Sequence, residues 1–435
     1  VSAPRTPEEA LAFFSRLNPS GIKLGLERVR EALAALGHPE RQYPALHVAG
    51  TNGKGSTCAL TAAALRAAGH RVGLYTSPHL VRVNERIRVD SEDISDADFG
   101  LRILEVLERY PSAVSSPMTY FEFGTVVALW HFARVRVDVA VLETGLGGRL
   151  DATTAASPVV TAITPVSFDH MEYLGNTLAA IAGEKAGILK PGVPCVVARQ
   201  APEALEAILR KADEVGAPVR LEGRDFSGER QPSGHLSYRG AAWSLEALSL
   251  ALRGPHQRQN AAVALACLEA LQERRVTVPP EAARAGLASA CWPGRLEEVG
   301  QQPVLLLDGA HNPAGVEVLL ASLSDLYPGR RVHLVFGVVG DKDRGPMMRA
   351  LFPACASVQL TPLETPRSLA PESYLSEARA LCADVTAWPD ADTALAAARK
   401  RAAGNDLVLC TGSLFLVGMM KARLYRNLGA MQQPP

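Results

Sequence analysis

The chain has 435 residues, 47% of them hydrophobic and 21% charged, with 45 basic and 45 acidic side chains and a formal net charge of zero. At roughly 100–200 residues per domain, this length implies about two to four domains and excludes a single small binding module. The balanced charge removes the electrostatic ground for a nucleic-acid or anionic-membrane partner, and leaves anionic small molecules open. The seven cysteines are scattered and form no CxxC pair, so they read as reduced thiols. The opening Val1-Ser2-Ala3-Pro4-Arg5 has no basic, apolar leader. Apolar stretches such as 407–420 are broken by Thr411, Gly412 and Ser413, short of the roughly 18 residues of a bilayer span. A cytoplasmic protein is the expectation.

Apolar runs of strand length alternate with Ala- and Leu-rich helical patterns, which predicts an α/β protein built on mainly parallel sheets. Residues 45–49 form the first predicted strand, followed by a Gly-rich turn, a helix over 56–68 that stops at Gly69, and a second strand over 72–75, together a βαβ unit. Further strands are expected at 137–142 and 159–164. Residues 201–253 are less legible, with a helix and a few antiparallel strands, and a helix follows over 260–273. Trp292-Pro293-Gly294-Arg295 punctuates the chain like a linker. The rhythm then restarts with strands at 304–307, 332–338, 358–360 and 407–410. Two domains, 1–298 and 299–435, are the economical division, and a cleft between two such domains favours ligand binding.

The chemistry begins at Gly50-Thr51-Asn52-Gly53-Lys54-Gly55-Ser56-Thr57, between a strand and a helix. There, backbone N–H groups and a helix N-terminus form a nest for phosphate oxygens, and Lys54 can neutralise them. The standard phosphate-loop spacing is not met, because it requires glycine at Val48 and serine or threonine at Gly55. A glycine-rich turn with an exposed lysine is the plain alternative.

Further blocks follow in order. They are Thr76-Ser77-Pro78-His79-Leu80, the run from Leu142 to Thr153 containing Glu143-Thr144-Gly145-Leu146-Gly147-Gly148, and Asp169-His170-Met171-Glu172. Glu184-Lys185-Ala186-Gly187, Gly254-Pro255-His256-Gln257 with Asn260, Pro293-Gly294-Arg295, Asp308-Gly309-Ala310-His311-Asn312-Pro313 and Thr411-Gly412-Ser413 complete the set. Together they resemble the folate branch of the Mur ligase superfamily, the folylpolyglutamate synthases, whose bacterial members often also act as dihydrofolate synthase. The resemblance implies a P-loop-type, mainly parallel sheet domain flanked by helices, plus a smaller Rossmann-like C-terminal domain.

It also implies roles by position. Asn52, Gly53, Lys54, Gly55, Ser56, Thr57, Asn260, Arg295 and Asp308 match residues that bind ATP. Ser77, Glu143 and His170 match ligands of Mg²⁺, a cation that takes hard oxygen donors and bridges to phosphates; singly, His170 reads as a hydrogen-bonding histidine and Glu143 as a capping acid. Lys185 matches a lysine carbamylated by CO₂, although a cation at a helix C-terminus is the bland reading. Leu24, Gly25, Leu26, Tyr120, Phe121, Glu122, Phe123, Leu150, Asp151 and Ala152 match the pterin pocket, and aromatic rings are apt partners for a flat π-system. Thr154 stands where family members usually carry Asn. Asn312 and Pro313 read as an N-cap and first helical residue. That leaves Asp308 and His311 for the cleft, and Ser413, opening the last helix, for the glutamate carboxylate.

The chemistry implied is ATP-dependent amide formation through an acyl phosphate, by a monomer acting on folate or dihydropteroate, L-glutamate and ATP. Lys54, Lys185 and His311 are its catalytic candidates. A peptidoglycan-precursor ligase and a non-ligating nucleotide switch are the alternatives. Only about 45 residues precede the first strand, which speaks against a UDP-binding N-terminal domain.

Overall fold

The computed structural model describes residues 4–17, 25–115, 118–301, 303–340 and 342–431. The chain divides into two compact units. The first takes in most residues up to Cys291; the second runs from Trp292 and includes the short segments His79–Val83 and Leu252–His256.

The first unit is built on eight strands: β1 (Ala45–Ala49), β2 (Val72–Tyr75), β3 (Ile87–Val89), β4 (Glu92–Asp93), β5 (Val139–Glu143), β6 (Val160–Ile163), β7 (Cys195–Val197) and β8 (Val219–Leu221). Their order is β4-β3-β2-β5-β1-β6-β7-β8, parallel except where β3 and β4 turn back at one edge. The central strands are buried along their whole length, as continuous apolar runs in a sheet covered on both faces should be. β1 and β2 are not neighbours: β5 lies between them and pairs with both. The expected βαβ unit of β1, helix Lys54–Ala67 and β2 thus spans one intervening strand, and β2 is hydrogen-bonded to β5 on one side and to β3 on the other.

Helix Lys54–Ala67 is Ala-rich and buried over Ser56–Leu65. Its small side chains allow close packing against helix Pro280–Ser289, where a Cβ on Gly286 would run into the backbone of Ala64. On the β6–β7 side, Ile163, Val197, Ile181, Ile188 and Ile208 form one core that unites the sheet with helices Leu178–Ala186 and Pro202–Val215. A separate antiparallel sheet, β9 (Ser227–Arg230), β10 (Leu236–Arg239) and β11 (Ser244–Leu248), follows β8. The buried carboxylate of Glu269, on helix His256–Glu273, holds its β10–β11 turn by accepting the amides of Ala241, Ala242 and Trp243 and the hydroxyl of Tyr238.

The second unit has six strands: β12 (Glu297–Gln301), β13 (Val304–Leu307), β14 (Val332–Phe336), β15 (Ser357–Leu360), β16 (Val385–Ala387) and β17 (Leu407–Thr411). Their order is β12-β13-β17-β14-β15-β16, parallel except for β12. The two-residue period of a strand splits its core into two layers. Leu306, Leu334, Phe336 and Leu409 pack on one face, and Leu305, Leu307, Val335, Val408 and Cys410 on the other. Both faces carry helices, a doubly wound arrangement. Trp292–Arg295 is no free linker: it lies within this unit, with Gly294 accepting the Gly309 amide at 2.9 Å.

Among the described residues, no helix is long and apolar enough to cross a membrane.

Candidate active site

In the first unit, the loops leaving the carboxyl ends of four adjacent strands, β2, β5, β1 and β6, carry the candidate residues, where open α/β sheets bind ligands. After β1 the chain turns at Gly50 (φ 146°) and Gly53 (φ 88°). Neither position accepts a side chain: a Cβ on Gly50 would strike Thr164 Oγ1, and one on Gly53 would strike Asn260 Oδ1. The amides of Thr51 and Asn52 are spent on Pro165 O, and Thr51 Oγ1 donates to Ser167 O at 3.1 Å. The loop is thus strapped to the segment after β6. Helix Lys54–Ala67 then begins with no side-chain cap. The N–H groups of its first turn have no carbonyl within the helix, so its N-terminus offers donors and positive potential to an anion.

Lys54 Nζ donates to Thr51 O at 3.2 Å and lies 4.0 Å from Glu143 Oε1. Glu143 ends β5, is buried, and accepts the Ser77 amide on Oε2 at 3.1 Å. His170 stands left-handed (φ 50°), with Nε2 3.9 Å from Asp169 Oδ2. Among the described residues no three His, Cys, Asp or Glu side chains cluster as a closed metal site. The buried Glu143 carboxylate at the strand end is of the hard-oxygen type that a divalent cation takes, with its remaining ligands drawn from phosphate and water.

Lys185, near the end of helix Leu178–Ala186, turns inward instead of toward solvent. It is buried and donates to Gly50 O at 2.7 Å. Burial first, and the charge of Lys54 second, bring its pKa down to about 7, so a neutral amine is accessible beneath the loop.

The substrate candidates sort by environment. Phe121 stays partly exposed, 5.9 Å from the Tyr75 ring, and a Cβ on Gly145 would come within 2.5 Å of it. Tyr120 is buried, tilted against Phe14 with the Arg86 guanidinium 5.3 Å from its ring centroid. Phe123 is core, packed on Phe13 and Phe14. Glu122 forms a capping box with Thr119 and pairs with Arg28 at 2.7 Å. Phe123 thus fills the core, and Glu122 holds the start of its helix. Asp151 is buried and caps its own loop, its oxygens accepting the amides of Gly145, Leu146 and Thr153 and the Thr153 hydroxyl. Leu150 is partly exposed and Ala152 buried. Leu26 is buried ahead of helix Glu27–Ala35, next to Gly25 (φ 135°). Leu24 lies outside the described residues.

Asn260 packs against Gly53 and donates to Gln257 Oε1 at 2.9 Å, while Gln257 Nε2 donates to Ser56 Oγ at 3.3 Å. Gln257 stands in the same motif as Asn260 and ties it to the first turn of helix Lys54–Ala67. Thr57 Oγ1 and Thr144 Oγ1 are buried without a hydrogen-bond partner.

In the second unit, Asp308 ends β13 and accepts the amides of Leu296 (3.0 Å) and Ala310 (2.9 Å). Burial raises its pKa, against the pull of Arg295. Arg295 reaches the backbone of Gly309, where a Cβ would lie 2.5 Å from Nη1. His311 Nδ1 lies 2.7 Å from Gly309 O; since a carbonyl only accepts, Nδ1 carries a proton. Asn312 caps helix Pro313–Leu326 by accepting the Gly315 amide at 2.7 Å. Ser413 is buried and accepts the Phe415 amide at 3.1 Å, capping the helix that begins at Leu414.

Two family models match the chain: the Mur ligase middle domain over residues 48–268 and the Mur ligase glutamate ligase domain over 294–414. The dihydrofolate synthase/folylpolyglutamate synthase of Bacillus subtilis is 38% identical, over 93% of this chain and 96% of that protein; the Escherichia coli enzyme of the same name is 36% identical, over 95% and 96%. Among solved structures, E. coli FolC in complex with DHPP and ADP superposes with a TM-score of 0.90 at 34% identity, covering 98% of this chain and all of that one. The Yersinia pestis bifunctional folylpolyglutamate synthase/dihydrofolate synthase, complexed with AMPPNP and Mn, gives 0.87 at 33%, covering 98% and 100%. With both Mur ligase domains and near full-length relatives, the chain belongs to the folylpolyglutamate synthase/dihydrofolate synthase family of the Mur ligase superfamily.

Proposed function

We propose that this protein is an ATP-dependent ligase that joins L-glutamate to the terminal carboxylate of folates, and that it also accepts dihydropteroate. The observation that carries the reading is the uncapped, glycine-started helix with Lys54 beside the buried Glu143, a phosphate-binding strand end inside a full-length family match.

The first turn of helix Lys54–Ala67 and Lys54 hold the ATP phosphates, and Asn260 lies toward the base. Ser77, Glu143 and His170 would hold Mg²⁺, which, when bound, neutralises charge on the transferring phosphoryl group. The acceptor carboxylate oxygen bonds to the γ-phosphorus, ADP leaves, and an acyl phosphate results. The glutamate amine then attacks the acyl carbon, inorganic phosphate departs, and the nitrogen gives up a proton. His311 serves to orient the glutamate ammonium or take that proton. Ser413, at the start of the last helix, faces the glutamate carboxylate; Arg295 and Asp308 serve ATP. Phe121, Tyr120, Gly25, Leu26, Leu150, Asp151 and Ala152 form the pterin side. Lys185, as a neutral amine, adds to CO₂ with loss of a proton, giving a carbamate whose carboxylate sits beneath the phosphate loop. The family reading carries with it a cytoplasmic monomer.

The test is incubation of the purified protein with ATP, Mg²⁺ and labelled glutamate, with dihydropteroate and tetrahydrofolate in parallel, and resolution of products by mass. One added glutamate on both acceptors is expected. Addition to tetrahydrofolate alone removes the dihydrofolate synthase half; addition to neither overturns the reading.

A further inference from the structure

His47 sits in the middle of β1, fully buried, where an apolar side chain is the ordinary occupant. Its Nε2 lies 2.7 Å from Thr153 Oγ1. That hydroxyl lies in turn 2.5 Å from Asp151 Oδ1, which also accepts the Thr153 amide at 3.0 Å. Asp151 Oδ2 accepts the amides of Gly145 at 2.9 Å and Leu146 at 2.8 Å.

The directions of these bonds follow from the chemistry of the groups. A carboxylate only accepts, so the single Thr153 hydroxyl proton goes to Asp151, and Thr153 Oγ1 accepts from His47. His47 is thereby fixed as the Nε2–H tautomer. Burial, reinforced by the charge of Lys190, keeps the ring neutral, with a pKa of about 3. Its Nδ1 is buried with no hydrogen-bond partner. An orphaned ring nitrogen inside a sheet is unfavourable; the arrangement keeps the Nε2 donor in spite of it.

We propose that His47 is a positioning residue for the acceptor substrate: from inside the sheet, through Thr153 and Asp151, it fixes the backbone of Gly145 and Leu146. These two residues follow Glu143 closely and Gly145 abuts Phe121, so a shift in their backbone moves the wall on which the pterin is received. His47 itself touches no substrate. The proposal rests on the reading of this loop as part of the pterin side.

The experiment compares His47→Leu, His47→Gln and Thr153→Val. A glutamine amide can carry an N–H donor close to the place of the imidazole Nε2–H, whereas leucine fills the space without one. His47→Leu is expected to raise KM for dihydropteroate and tetrahydrofolate roughly tenfold, the scale of lost outer-shell support. KM for ATP should stay within about twofold, since the phosphate loop does not depend on the relay. His47→Gln should recover most of the loss, and His47→Leu/Thr153→Val should be no worse than Thr153→Val alone, the signature of one shared connection. Amide hydrogen exchange of the whole protein without substrate should show Gly145 and Leu146 exchanging faster in His47→Leu and in Thr153→Val. Unchanged exchange at these amides, additive losses in the double variant, or His47→Gln as impaired as His47→Leu would each overturn the proposal. If His47→Leu does not fold, Thr153→Val breaks the same link without altering the central strand. If the wild-type protein glutamylates neither acceptor, the functional reading fails, while the exchange measurement still decides the relay.

Discussion

Helix Lys54–Ala67 in the first unit and helix Pro313–Leu326 in the second both follow a parallel strand, and their N-termini are built in opposite ways. The first starts at Gly53, left-handed and without a side-chain cap, with Asn260 packed where a side chain would stand. The second starts at Asn312, whose side chain takes the Gly315 amide, and continues with Pro313, which has no N–H at all. One end leaves its donors for a ligand and the other satisfies them internally. Anion-binding capacity is therefore set by the residue at the cap, not by the strand-to-helix geometry that the two share.

The largest test of this contrast is Lys54→Ala. If the bare N-terminus and Lys54 act together on phosphate, turnover measured as ADP release should fall about a thousandfold with the far-ultraviolet circular dichroism intact. Near-normal turnover would return the loop to the status of a glycine-rich turn.

Lys185→Met should lower turnover by about a hundredfold if the lysine supports the loop through a carbamate, and ¹³CO₂ should give a carbamate resonance in the wild type only. The same variant reports on stability. The Lys185 pKa in the folded state, about 7, lies below the ordinary lysine value of 10.5, so between these limits the unfolded chain binds more protons than the folded one. Stability should thus rise with pH from about 7 toward about 10.5, with the full burial penalty present below pH 7, and Lys185→Met should flatten that slope in denaturant titrations.

Gly53→Ala should weaken ATP binding by about tenfold, since the left-handed backbone disfavours a Cβ by roughly 1–2 kcal/mol and Asn260 is displaced as well. Isothermal titration with a non-hydrolysable ATP analogue measures it. At the other helix, Asn312→Ala should lose only about 1 kcal/mol of stability, read from the denaturation midpoint, with ATP affinity unchanged. If Asn312→Ala altered ATP affinity as much as Gly53→Ala, the distinction between an open and a closed cap would not hold.

Much of this was legible because it is local. The strand runs, the glycine turn before Lys54 and the Asn312-Pro313 cap are written in adjacent residues, and the ordered motifs identified the family. What was not legible depends on distant partners. Phe123 reads as one aromatic among three until Phe13 and Phe14 close over it. Glu122 reads as an available carboxylate until Arg28, 94 residues earlier, pairs with it. Lys185 reads as a solvated helix-end charge until its amine is found beneath Gly50. The pairing of β2 with β5 is of the same kind: the pattern marks a strand without naming its neighbour.

The central position of β1 has a consequence for how the protein is made. Ala49 accepts hydrogen bonds from Thr164, 115 residues further on, Gly50 is held by Lys185 at 135, and Ser56 is reached by Gln257 at 201. At about 5–20 residues per second, the nascent nucleotide loop waits roughly ten to forty seconds on the ribosome for its last supports. During that interval β1 and the Ala-rich helix behind it present their apolar faces without a sheet to bury them. The strand and helix that end up buried in the finished fold are, in the nascent chain, exposed apolar surface of the kind that chaperones shield.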